Sequence, residues 1–94
     1  MKRTTPTAGP APEEIREIEN LTEEVRAKII ALREKAEIAR MEGRDIKSAM
    51  LRIERADKLF SEATFDASQG KYSLAKSKLE TAMRLLQKTE EILL

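Results

Sequence analysis

Apolar residues fall at alternating steps of three and four along two neighbouring stretches of this chain, and that alternation narrows the fold more than any other feature. Ile46, Ala49, Ile53, Ala56, Phe60, Ala63 and Ala67 form one series. Tyr72, Ala75, Leu79, Ala82, Leu86, Thr89 and Leu93 form the other. Such steps keep side chains on one face of an α-helix. Each series alternates large residues with small ones. Two helices lying antiparallel can then approach closely, a large side chain on one meeting an alanine on the other. The spacing predicts a helical hairpin over residues 45–94.

A third helix is expected upstream. Ile15, Ile18, Thr22, Val25, Ile29, Leu32, Ala36 and Ala39 repeat the pattern, with Leu21 widening the stripe. Pro12 suits the first position of a helix, where its missing N–H costs nothing. Glu13, Glu14 and Glu17 carry the charge that favours a helix N-terminus. Gly43 and Gly70 read as left-handed stops, and Asp45 as the N-cap of the second helix. Helices are therefore predicted at about 13–42, 45–69 and 73–94, preceded by an arm over residues 1–12 that holds all three prolines. Connections this short force neighbours to run antiparallel. Met50, Leu59, Met83, Leu85 and Ile92 flank the seams, so each arm of the hairpin needs a second partner. The expected fold is all-α: a three-helix, up-down-up antiparallel bundle with alanine-rich, coiled-coil-like seams. Pairing the end of the first helix with the second leaves about one turn, residues 13–17, beyond the hairpin. Ile15 and Ile18 are then expected to be partly exposed.

The stretch Ala49-x-x-Arg52-Ile53-x-x-Ala56-x-Lys58-Leu59-Phe60 matches Ala75-x-x-Lys78-Leu79-x-x-Ala82-x-Arg84-Leu85-Leu86. Two amphipathic helices sharing one seam pattern align in this way without being copies of each other. The stretch Gly70-Lys-Tyr72-Ser-Leu-Ala75-Lys-Ser-Lys-Leu79-Glu-Thr-Ala82 resembles the turn and second helix of a tetratricopeptide repeat, with Leu59 and Ala63 at the first-helix positions. The same spacing is similar to that of microtubule-interacting-and-trafficking domains, which set it among three helices. The likeness covers about residues 59–85. The second helix here is longer than the repeat's first helix, no proline closes the third, and there is no array. The resemblance implies a hairpin packed by small residues and a groove for a partner helix.

Composition removes several chemistries. There is no histidine and no cysteine, so the commonest general base and the thiolate metal sites are missing. A ferritin-like di-metal site would need Glu-x-x-His on facing helices. The three glycines stand alone, without a phosphate-cradling loop. Glu24–Lys28, Glu54–Lys58 and Glu80–Arg84 are i,i+4 pairs of solvated helix faces rather than buried catalytic carboxylates. No apolar run is long enough to span a membrane, and Met1-Lys2-Arg3 opens no secretory signal. These features point to a non-enzymatic protein without cofactor or metal, and to a cytoplasmic location. Charged residues reach 37%, with one Asn and two Gln, a balance found in proteins of hot environments and in long-helix proteins alike.

Two functional readings remain. The first is a protein–protein interaction or scaffolding module, contacting a partner or a second copy as a homodimer through Ile15, Ile18, Phe65 and Leu94. Phe65 lies off the seam, where it either packs under the first helix or stands free. The alternative is a nucleic-acid-associated or capsid-type subunit. Its polyanion contacts would be Lys2 and Arg3 in the arm, and Arg40, Arg44 and Lys47 at one hairpin end, joined there by Arg84 and Lys88. The scarcity of stacking aromatics favours the first. The helical ending on Ile92-Leu93-Leu94 would also suit a piece of a longer chain.

Overall fold

The computed structural model describes residues 11–94. Lys2 and Arg3, with most of the predicted arm, lie outside the described residues. Three helices follow: α1 (Pro12–Met41), α2 (Lys47–Ser68) and α3 (Tyr72–Leu93). Among the described residues there is no strand.

Pro12 opens α1, and the Glu14 carboxylate accepts the Ala11 N–H at 3.0 Å. Ala11 has no side-chain oxygen to return the favour, so this is half of a capping box. Both helix-to-helix turns use one device. Gly43 takes φ +86°, the Arg44 N–H donates to the Ala39 carbonyl at 3.0 Å, and the Gly43 N–H donates to the Arg40 carbonyl at 3.0 Å. Gly70 takes φ +79°, with Lys71 donating to Asp66 at 2.8 Å and Gly70 to Ala67 at 3.0 Å. This is the Schellman arrangement, which satisfies the last free carbonyls of a helix.

The start of α2 differs from the sequence expectation. Ile46, not Asp45, is the N-cap: Arg44, Asp45 and Ile46 separate the left-handed glycine from the first helical residue, Lys47. Asp45 still serves the helix from outside: its Oδ1 accepts the Lys47 N–H at 3.0 Å.

Cross-helix contacts define the direction of travel. Glu17 meets Lys76 at 2.9 Å and Lys28 meets Glu90 at 3.0 Å, so α1 and α3 run parallel. Arg33 meets Asp57 at 2.7 Å, and Lys78 lies 2.8 Å from Asp66 and 3.3 Å from Glu62. Each pair joins residues a similar distance along the chain on either side of a short turn, the placement of antiparallel neighbours. The fold is the up-down-up three-helix bundle, and α2 with α3 forms its most extensive interface. Ala49, Ala56 and Ala63 of α2 and Ala75 and Ala82 of α3 are all fully buried, beside Ile53, Leu79 and Leu86. A buried alanine brings a neighbouring helix close, and the large residues fill the space on either side. Val25, Ile29, Leu32, Ala36 and Ala39 close the core from α1. No helix among the described residues is long and apolar enough to cross a membrane.

Candidate interaction surface

The basic residues expected at one tip are dispersed or already engaged. Arg44 turns its guanidinium onto the end of α3, donating to the Ile92 carbonyl at 3.1 Å and the Leu93 carbonyl at 3.4 Å. A cation at these carbonyls complements the negative end of the helix dipole. Arg40 pairs with Glu37 one turn back, and its hydrogen bond holds the Glu37 carboxyl below the usual carboxylate range. Lys47 is exposed beside this end. Lys88 is exposed on α3, one turn before Ile92. Arg84 is not at the tip. It lies about 14 Å along α3 from Leu93, in a groove facing Glu17, Glu24 and Glu80. The reason is axial: eight and nine residues of helix separate it from the two carbonyls that Arg44 reaches.

The four residues expected to meet a partner also separate. Ile18 is buried, at 6% exposure, and Ile15 is half-buried. The predicted overhang is shorter than its estimate because the α2–α3 turn extends along α1. Ile15 and Ile18 consequently line a groove with Ala67 and Tyr72 at that turn. The Glu17–Lys76 contact ties the same segment to α3 and raises the lysine above its ordinary value. Phe65 does not pack under α1; it is 63% exposed on the outer side of α2. Leu94 is exposed beyond the end of α3.

A different set of residues forms the most apolar outward face. Ile30, Ile38 and Met41 are 53%, 57% and 75% exposed. Spacings of eight and eleven put them on one side of α1, over about 16 Å. Arg33 and Lys28 on either flank hold α2 and α3, so this side points away from both. Single exposed apolar residues are unremarkable, whereas three aligned on one helix face constitute a patch. The sequence carried the signal. All three fall outside the series Val25, Ile29, Leu32, Ala36 and Ala39, and their own period is helical.

Near the other end of α1 lies the groove between α1 and α2. Ile15, Ile18, Ala67 and Tyr72 give it an apolar floor, and its charged residues, Glu19 and Glu23, are both acidic. Among the described residues, no three acidic groups converge as a metal ion would require. No family model, curated protein or solved structure matches this chain.

Proposed function

We propose that this protein is a non-enzymatic protein–protein interaction or scaffolding module that presents the outer face of α1. The observation that carries the reading is the aligned trio Ile30, Ile38 and Met41, exposed on a helix whose inner face already completes the core. Large side chains left in water on a rigid helix are what helix-mediated recognition uses. The basic tip supports the nucleic-acid reading less well, since Arg44 is committed to the α3 carbonyls and Arg84 lies away from the tip in a groove facing glutamates. Ion pairs across all three helix interfaces support reading the composition as suited to a hot environment.

The test is site-specific photo-crosslinking in cells. Glu34 is exposed between Ile30 and Ile38, while Glu54 is exposed on α2. A crosslinker at position 34 should give adducts that Ile38→Lys removes, and one at position 54 should not. Identical adduct patterns from both positions would defeat the proposal.

A further inference from the structure

We infer that the occupant of the α1 surface is a second copy of this chain, held as a two-fold pair in which the two α1 helices cross obliquely and antiparallel. This rests on the module reading above and goes further by naming the partner. Three independent features of α1 fit one arrangement. The first is the exposed trio on its C-terminal half. The second is the acidic, apolar-floored groove beside its N-terminal half. The third is the division of charge. Residues 13–25 hold six glutamates and one arginine, net −5. Residues 26–41 hold Arg26, Lys28, Arg33, Lys35 and Arg40 against Glu34 and Glu37, net +3.

An antiparallel pair with its axis near residue 28 lays the basic half of each α1 over the acidic half of the other. The same operation sets Met41 over the partner copy's position 15 and Ile38 over its position 18, at the floor of the groove. On α1 the groove lies on the flank toward α2, rotated from the trio. The second helix must therefore lean toward α2 as it passes, which is an oblique crossing of the kind ridge-into-groove packing favours. Charge of one sign then meets charge of the other at both rims. One trio is a small contact, but two-fold symmetry uses it twice, toward the roughly 800 Å² per partner that stable pairs bury. A parallel pairing would place acid on acid and cation on cation, which costs affinity.

Sedimentation equilibrium of the full chain at low salt, from about 10 μM to 1 mM, tests this. The wild type should show a monomer–dimer equilibrium that weakens as salt rises. Ile38→Glu with Met41→Glu, both at exposed positions, should abolish the dimer while leaving helix content unchanged, and melting unchanged at concentrations where the wild type is monomeric. Glu19→Lys/Glu23→Lys and Arg26→Glu/Arg40→Glu should each weaken it about tenfold or more. Mixed one to one, those two charge-reversed proteins should recover a dimer of wild-type strength, since the mixed pair restores opposite charges at both rims. A wild type that stays monomeric throughout overturns the inference, as does a dimer indifferent to all three variants. A monomer whose position-34 crosslinker still captures a different protein overturns self-pairing and leaves the module reading standing.

Discussion

Asp66 is a carboxylate inside the α2–α3 interface, 7% exposed, with Lys78 Nζ 2.8 Å from its Oδ2. That oxygen has no well-directed hydrogen bond, so the contact is an ion pair first. Asp66 holds Lys78 above its ordinary value, burial opposes the shift, and Glu62 adds to it. Lys76 is raised in the same direction, by Glu17 first. A raised lysine stabilises the fold fully below its unfolded value, about 10.4, and that stability is lost as pH climbs through the folded value. The urea midpoint should therefore fall as pH rises above about 10.4. Lys76→Met/Lys78→Met should start lower at neutral pH and lose less across that interval; an unchanged alkaline slope would contradict the assignment. Removing Lys78 alone strands a buried carboxylate. Lys78→Met should accordingly lower the midpoint more than Lys78→Met combined with Asp66→Asn. Thr89 is the other buried polar residue among the described residues, and its hydroxyl donates to the Leu85 carbonyl at 2.8 Å. Satisfied within its own helix, it leaves its methyl to the seam, which is why a threonine stands in an apolar series.

At the level of elements, the helices and their seams were legible because period and size alternation act locally. Every seam residue from Ile46 to Leu93 is buried or half-buried. What escaped the sequence was axial offset. How far one helix slides past another depends on the geometry of each turn, and a shift of a few residues is enough to bury Ile18 against the α2–α3 turn. Phe65 is free for a different reason, its place on the outer side of α2, and Arg84 misses the tip because it lies nine residues before Leu93 on its own helix. The turns themselves can be tested. A Cβ at Gly43 or Gly70 would meet nothing within 4 Å, so replacement strains only the backbone. Gly43→Ala and Gly70→Ala should each cost about 1–2 kcal/mol in chemical denaturation, and the double variant their sum, as expected of distant sites. The seam should be less forgiving. Ala56→Leu with Ala82→Leu forces bulk into positions with no exposure, costing about 1–3 kcal/mol apiece. A melting temperature that barely moves would show that these helices are not in close contact.

The whole molecule is organised by α1, which serves the core with one face and leaves another to solvent. The inner face was readable, since Val25, Ile29, Leu32, Ala36 and Ala39 are buried as their period requires. The outer face was not read, because Ile30 is the immediate neighbour of Ile29 and the pair looks like one broad stripe until the bundle shows which side closes. Exposed positions contribute little to folding. Ile30→Lys with Ile38→Lys should thus change unfolding free energy by no more than about 0.5 kcal/mol per site. Measured at concentrations where the protein is monomeric, a larger loss would mean that these residues belong to the core.

Because α1 and α3 point the same way, Pro12 and Leu93 stand at opposite poles of a rod about 45 Å long. Whatever is joined to one pole is held away from whatever is joined to the other, as by a strut. Re-ordering the chain so that α3 feeds back into α1 would demand a bridge of about 14 extended residues. Permuted versions with a shorter tether should unfold or exchange helices between molecules, and versions with a longer one should melt as the parent does.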